Sequence, residues 1–472
     1  MNLAPELPVR RRWAVFAVCA LSMVLVAVDT TIVNAGLPSI GTALGAPTTE
    51  LEWVVDAYTV ALASLLITAG ALADRFGRRR VFRIGLTLFG VSSVLCALAP
   101  TVPWLVAARV VQGVGASMLN PVALAIVVTT MADRRERARA LGFWGAVFGI
   151  SMAIGPVLGG ALIEAFGWRA VFWVNVPVVA VALILVAILI PESHGSRTRR
   201  IDVCGQALLV LILFLAVGLI IEGPRLGWVS AVAMAGYVLL LGAAVAFARV
   251  ERRTTEPLID FDLFRSPPFS GAVAGALAAF VALTGSLLMI SLTLQHARGW
   301  PPLQAGLGML PMAVGIVLCA PLSGQLVARG HARIALLLAG GSTIVGAAAA
   351  AVAGPTDDAG VLLAAWALVG IGSGFANAPL TTTAVSSLPV ARAGVAAAIT
   401  STARQFGAAL GIAAVGSVVT GISVPQITAG SPPAWALVAT CGAVLVGVAM
   451  VSGRHPALTP GPAPTVPSEH RP

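Results

Sequence analysis

Long apolar runs separated by short clusters of charge, proline and glycine dominate the chain. Their lengths match what a helix needs to cross a bilayer, about 20 mainly apolar residues. The pattern delimits fourteen such runs. Six extend from Trp13 to Leu37, Leu51 to Ala71, Val81 to Ala99, Trp104 to Thr129, Ala140 to Ile163 and Ala170 to Ile190. Two follow, Cys204 to Ile221 and Trp228 to Ala248. The last six are Phe269 to Leu294, Gln304 to Ala328, Ile334 to Ala353, Val361 to Val385, Gly394 to Gly421 and Ala434 to Val451. The expected product is an all-α polytopic membrane protein. Residues 1–12 form a cytoplasmic N-terminus, 13–190 an N-terminal six-helix bundle and 191–268 a linker with two extra transmembrane helices. Residues 269–453 form a C-terminal six-helix bundle, and 454–472 a disordered, proline-rich cytoplasmic tail. Arg10, Arg11 and Arg12 precede the first run as they would a signal peptide. That run is longer than a signal's apolar segment and further spans follow, so it is read as retained.

Composition sharpens this picture. Of 472 residues 58% are apolar and 10% charged, with a mean hydropathy of +0.95, which excludes an ordinary soluble domain, typically about a quarter charged. All 29 basic residues are arginine. Without lysine there is no phosphate-cradling P-loop and no Schiff-base chemistry, so active transport would have to draw on a gradient or a separate subunit. The net charge of +10 is a topology signal before it is a nucleic-acid signal. When successive loops are assigned to alternate sides, Arg169, Arg225 and Arg298 fall on one side. Arg109 and Arg404 lie inside spans, and every other arginine falls on the opposite, cytoplasmic side. The protein is therefore expected in the inner or plasma membrane with both termini cytoplasmic, in contact with lipid and not with nucleic acid. The five cysteines are far apart in or beside apolar runs and read as packing residues. No histidine pair stands at helical spacing, so no metal is expected, and no cofactor. An embedded enzyme would need a convergent nucleophile, base or metal set that these spans lack.

One loop pattern occurs twice. Gly70-Ala-Leu-Ala-Asp74-Arg75-Phe-Gly77-Arg78-Arg79-Arg80 stands between spans 2 and 3, and the weaker Gly324-Gln-Leu-Val-Ala-Arg329-Gly330-His331-Ala-Arg333 between spans 10 and 11. Two related halves with an inserted pair of spans follow from it, the plan of a rocking transporter.

At these loops the sequence resembles the major facilitator superfamily, whose loop signature the stretch from Gly70 to Arg80 fills at every key position. Further matches resemble its fourteen-span drug:proton antiporter branch. They are Asp29-Thr30-Thr31-Ile32-Val33-Asn34 through Pro38 in span 1, Arg109-Val-Val-Gln112-Gly113-Val-Gly115 in span 4, and Gly155-Pro156-Val-Leu-Gly159-Gly160 in span 5, which is similar to the antiporter motif. The variant Trp53-Val-Val-Asp56-Ala-Tyr58 is most similar to antibiotic-resistance exporters of high-GC actinobacteria. The resemblance implies the major facilitator fold and a proton-coupled multidrug or antibiotic efflux transporter. Such a protein works by alternating access, functions as a monomer and takes small amphipathic drug-like substrates. A dedicated proton-coupled exporter of one endogenous metabolite or amino acid is the alternative.

The residues themselves suggest where the chemistry lies. An acid inside a span is costly and usually faces a cavity or a partner. Asp29 is roughly 12 Å below the outer end of span 1 and Arg109 roughly 8 Å below the same face in span 4, at 1.5 Å per residue, so the two are within reach of each other. They are candidates for proton coupling or for a permanent structural ion pair. Asp56 is a possible second acid or an interfacial residue. Gly70, Asp74, Arg75, Gly77 and Arg78 are expected to form a cytoplasmic gate, with Gly70 allowing close helix approach, Gly77 a tight turn and Asp74 a contact to an arginine. Gly155, Pro156, Gly159 and Gly160 permit a bend and tight packing. Candidate substrate-pocket residues are Asn34, Gln112, Asn120, Phe280, Met289, Phe375, Asn377 and Arg404, the last needing a partner because no acid occurs in spans 9 to 14. That lack favours monocationic, zwitterionic or neutral amphipathic substrates over dications.

Overall fold

The computed structural model describes residues 8–131, 133–194, 202–255, 257–353, 359–388, 393–419 and 431–452, and they are helical almost throughout. Among them, thirteen helical stretches are long and apolar enough to cross a membrane. They coincide with thirteen of the expected runs. The remaining run, Ala140 to Ile163, lies within the 33-residue helix α6 (Arg134–Phe166), whose Ile154–Phe166 part is apolar. The proline-rich tail lies outside the described residues.

The first helices are α1 (Val9–Leu44), α2 (Thr48–Phe76), α3 (Arg78–Ala97), α4 (Val102–Ser117) and α5 (Asn120–Thr130), followed by α6. Next come α7 (Ala170–Trp173), α8 (Asn175–Leu189), α9 (Val203–Leu226) and α10 (Ala231–Arg253). The rest are α11 (Pro267–Leu292), α12 (Pro302–Gly308), α13 (Leu310–Ala328), α14 (Ala332–Ala353), α15 (Ala359–Ser386), α16 (Ala393–Val419) and α17 (Pro432–Ser452).

Three runs expected to be single helices are broken, each just before a proline. Span 4 breaks at Met118 and Leu119 ahead of Pro121, span 6 at Val174 ahead of Pro177, and span 10 at Met309 ahead of Pro311. Proline removes a backbone donor and disfavours helical geometry in the residue before it. Short-range bonds take over there, such as Met118 N–H to Gly115 O at 3.1 Å and Met309 N–H to Gly306 O at 3.2 Å. Pro38, Pro156, Pro321 and Pro379 stay inside continuous helices. Span 9 runs past its expected end into a π-helical turn, Thr293–Ala297.

Helices α1 to α8 pack mainly against one another, α2 and α3 on α4, α1 on α6, and α3 on α8. Helices α11 to α17 do likewise, with α13 and α14 on α15, α11 on α16, and α14 on α17. The groups meet where α1 touches α11 and α12, where α2 touches α16, and where α6 touches α12 and α13. The inserted pair, α9 and α10, lies beside the second of these, α9 resting on both α2 and α16. Exposed Ile184, Ile188, Val238 and Leu241 give the outside the apolar character that a bilayer stabilises.

Candidate functional site

Asp29 on α1 and Arg109 on α4 meet. Nη1 of Arg109 donates to Oδ2 of Asp29 at 2.6 Å, and both side chains are fully buried. Burial of such a pair is tolerable when the remaining lone pairs and protons are also satisfied; the surrounding amides do this for the carboxylate, while Arg109 Nη2 has no hydrogen-bond partner among the described residues. Nε2 of Gln112 donates to Asp29 Oδ1 at 3.1 Å, and Nδ2 of Asn175 donates to the same oxygen at 3.0 Å. Gln112 accepts from Arg109 Nη1 at 2.7 Å and donates to Ser93 Oγ at 2.9 Å. Arg109 Nε donates to Val54 O at 3.0 Å, and the guanidinium stacks 4.1 Å from the Tyr58 ring centre. Helices α1, α2, α3, α4 and α8 thus converge on one carboxylate. Gln112, one turn from Arg109 on α4, belongs to this network and not to a substrate pocket as expected. Asn175, just past the α7–α8 break, and Ser93 carried no signal of their own in the sequence.

The antiporter-like glycines work as contact surfaces. A Cβ at Gly155 would run into Thr31 Oγ1, and one at Gly159 would sit 2.8 Å from Ile32 Cγ1, so this face of α6 lies directly on α1 next to Asp29. Gly160 faces the other way, where a Cβ would meet Pro302 and Leu303 of α12, while Gly306 of α12 abuts Pro156. The two helices touch backbone to backbone. Close by, Ser291 Oγ donates to Asn34 O at 3.2 Å and Gln295 Nε2 to Ala35 O at 3.2 Å, tying α11 to α1. The end of the molecule that carries the α1–α2 turn is therefore packed shut.

At the opposite end, Gly77 has φ of 103°, a conformation that favours glycine. Asp74 accepts from Arg78 Nη2 at 2.9 Å. Arg75 is exposed and lies over the Phe76 ring. The turn is seated on Glu192 at the end of α8: Oε1 accepts from Arg79 N–H at 2.9 Å, and Arg78 N–H donates to Ser193 O at 2.8 Å. The expectation for Gly70 is corrected. A Cβ there would have nothing within 4 Å, so no close helix approach depends on it. Glu192 was not singled out from the sequence. The related turn at Gly330 also has positive φ, 81°.

The candidate pocket divides. Phe280, Asn377 and Arg404 line one cavity with Ala276, Ser373 and Leu380. Its volume, about 20 Å³, suits a water molecule and not a drug. Arg404 Nη1 donates to Asn377 Oδ1 at 3.1 Å and to Thr381 Oγ1 at 3.0 Å, both on α15, so neutral oxygens partner it. The other expectations do not converge there. Met289 is fully buried in the packed core and Phe375 is buried against α14 and α17. Asn34 is buried, donating to Thr30 O at 2.9 Å. Asn120 is half-buried at the start of α5. Large apolar side chains in spans serve packing as readily as binding, which is why Met289 and Phe375 misled.

Asp56 is fully buried on α2, and so is Glu52 one turn before it. Glu222 accepts from Trp53 Nε1 at 3.1 Å and pairs with Arg225 at 2.7 Å. Among the described residues, no group of three metal-ligating side chains occurs.

Residues 19–412 match the family model of the Major Facilitator Superfamily. The chain is 37% identical over 404 residues to the methylenomycin A resistance protein of Streptomyces coelicolor, covering 84% of each. It is 36% identical over 401 residues to the multidrug resistance protein Stp of Mycobacterium tuberculosis, covering 84% of this chain and 74% of that protein. In fold it is similar to the D-xylose–proton symporter, with a TM-score of 0.66, 16% identity and coverage of 94% and 97%. The chain is thus a multi-pass membrane transport protein, not an enzyme, and it belongs to the major facilitator superfamily, in the drug-antiporter branch that also holds these resistance proteins.

Proposed function

We propose that the protein is a proton-driven exporter of amphipathic drug-like or antibiotic compounds in the inner membrane. It crosses the bilayer fourteen times, as two six-helix bundles plus the inserted α9 and α10, with both termini cytoplasmic and no cofactor. It works as a monomer by alternating access between the bundles. The single observation that carries the mechanism is the buried Asp29–Arg109 pair in its cradle of amides.

In the state described, the arginine and two amide donors all bond to the Asp29 carboxyl group. Moving α1 relative to α4 weakens that contact, and a carboxyl deprived of its cation but still out of water takes up a proton. Each proton moving inward contributes about 2.3 kcal/mol per 100 mV of membrane potential. Gly155 and Gly159 place α6 directly on the Asp29 helix, while Gly160 and Pro156 connect the same helix to α12. A change at Asp29 is thereby transmitted to the contact between bundles. The Gly77 turn with Asp74, Arg75 and Arg78 is the cytoplasmic gate, seated on Glu192. Substrate binds along Phe280, Asn377 and Arg404 of α11, α15 and α16 once the cavity they line widens. Relatives whose names record resistance to multiple drugs, to methylenomycin A and to tetracenomycin C support the substrate class.

The test is drug accumulation in an efflux-deficient bacterial strain expressing wild type or Asp29→Asn, against a panel of dyes and antibiotics, with and without an uncoupler. Lowered accumulation of several compounds, abolished by both the substitution and the uncoupler, is the expected result. Unchanged export by Asp29→Asn would overturn the proton role. No response from any compound, with protein present in the membrane, would favour a dedicated metabolite exporter.

A further inference from the structure

Arg109 and Arg404 are the arginines that the sequence places inside spans, and only the first has a counter-charge. Arg109 is paired with Asp29. Arg404 of α16 takes part in no ion pair among the described residues, and the chain holds few acids to offer it. From residue 263 onward these are Asp357, Asp358 and Glu469, all outside the described residues. Ala359, which follows the two aspartates, begins α15, eighteen residues or about 27 Å of helix before Asn377, where Arg404 is bonded. Glu52 of α2 abuts α16 at Gly416, twelve residues or about 18 Å from Arg404. An ionisable side chain inside a span marks a partner or a ligand.

The bonds that hold Arg404 leave part of it unused. Both are made by Nη1, to Asn377 Oδ1 at 3.1 Å and to Thr381 Oγ1 at 3.0 Å, while Nε and Nη2 donate to nothing among the described residues. Those two N–H groups lie side by side and parallel, at the spacing of the two oxygens of a carboxylate. A guanidinium only donates, so Asn377 turns its oxygen to Arg404 and keeps its NH2 for another acceptor. Asn377 is exposed and Arg404 half-buried, so the polar end of their cavity is reached from outside the packed core. Phe280, Leu283 and Leu380 give that cavity apolar walls. The arginine is also well fixed. A Cβ at Gly407, one turn further along α16, would run into Leu277 O of α11, and Thr284 Oγ1 of α11 donates to Ala408 O at 2.8 Å.

Resting on the substrate path proposed above, we infer that Arg404 and Asn377 form an anion subsite, and that the exported compounds are amphipathic carboxylates, monoanionic or zwitterionic. The carboxylate accepts from Nε and Nη2 of Arg404 and from Nδ2 of Asn377, and supplies the negative charge that these spans lack. The apolar body of the compound lies along Phe280, Leu283 and Leu380. The proton site belongs to the helices α1 to α8 and the anion subsite to α11 to α17, so the two charges ride on different halves. A membrane potential that draws protons inward also drives an anion outward.

The test reads binding and not export. Purified full-length protein in phosphatidylcholine nanodiscs, with empty discs subtracted, is titrated at neutral pH with three fluorescent probes of one skeleton. These are dansylaminoundecanoate, its methyl ester and the analogue ending in trimethylammonium. Wild type is expected to bind the carboxylate at least about tenfold tighter than the ester, the effect of one charge-assisted hydrogen bond. Arg404→Gln should bind carboxylate and ester alike, and Arg404→Lys should restore part of the preference as a point charge. Asn377→Asp keeps the arginine and brings a carboxylate to it within the protein, so it should abolish the preference and raise the unfolding temperature, whether or not Arg404→Gln folds. Equal binding of carboxylate and ester by wild type, tighter binding of the trimethylammonium probe, or a preference that survives in Arg404→Gln or Asn377→Asp would overturn the anion subsite and leave the export reading standing. Binding of none of the three probes would overturn the substrate path on which it rests.

Discussion

Replacing Asp29 by asparagine keeps the shape of the side chain and removes its charge, and the hydrogen bonds around it set the expected cost. Oδ2 accepts from Arg109 at 2.6 Å, while Oδ1 accepts from Gln112 at 3.1 Å and Asn175 at 3.0 Å. Asparagine offers one oxygen and one NH2. With the oxygen toward Arg109, the NH2 faces two amide donors; turned round, it faces the guanidinium. Either way donor meets donor and a buried group goes unsatisfied, at about 1–3 kcal/mol. Breaking a buried ion pair by removing one partner costs about 3–5 kcal/mol. Asp29→Asn is therefore expected to destabilise the purified protein by about 3 kcal/mol, and Arg109→Gln by a similar amount. Combining them removes both charges together, so the double variant should cost about 2 kcal/mol less than the sum, while export stays lost. Denaturant unfolding in detergent, followed by helical circular dichroism, measures all three. Additivity of the single variants to within about 0.5 kcal/mol would refute the reasoning, because groups in one network do not behave independently.

Gly77 in the α2–α3 turn and Gly70 before it on α2 should separate cleanly. Gly77→Ala is expected to cost about 1–3 kcal/mol because of its positive φ and the Glu192 carboxylate beside it, whereas Gly70→Ala, with open space around it, should be neutral or gain up to about 1 kcal/mol from helix propensity; thermal unfolding of the two variants decides. Gly160→Leu wedges α6 from α12, and export is expected to fall at least about tenfold, equivalent to a shift of about 1.4 kcal/mol, at unchanged membrane content; wild-type efflux in this variant would show that the contact is dispensable. A maleimide applied to the native detergent-solubilised protein should modify Cys204 first, since Cys19, Cys96, Cys319 and Cys441 are buried. Mass spectrometry of the labelled peptides reads the order, and equal labelling of Cys19 would contradict the packing of α1.

Some features were legible in the sequence because a single residue type fixed them. Apolar length located the spans, and an acid and an arginine at matching depths pointed to Asp29 and Arg109. Proline also spoke, but ambiguously: Pro121, Pro177 and Pro311 break their spans, while Pro38 and Pro379 ride inside continuous helices. The difference depends on whether neighbouring helices satisfy the released carbonyls, which a linear pattern does not contain. Asn175 and Ser93 were invisible for a similar reason. A lone polar residue at a helix break or in a span acquires a role only when tertiary packing brings a carboxylate to it. Gly70 shows the converse, since its motif suggested a tight contact and the space beside it is open.

The inserted pair makes the two flanks of the molecule unequal. Helix α9 is clipped to α2 at two heights, by Trp53 to Glu222 near one end and by Thr68 with Gln206, whose Nε2 also donates to Ser64 O at 2.7 Å, near the other. When α2 and α16 part, α9 stays with α2 and α10 stands behind it, so the gap opens onto protein. On the other flank α6 and α13 meet with Ile150, Ile154, Val314 and Leu318 exposed to the surroundings. A compound already dissolved in the lipid therefore faces a shuttered wall on the first side and a bare seam on the second. For cargo taken from a leaflet the α6–α13 seam is the expected entry, and bulky substitutions there should slow the most lipophilic cargo first.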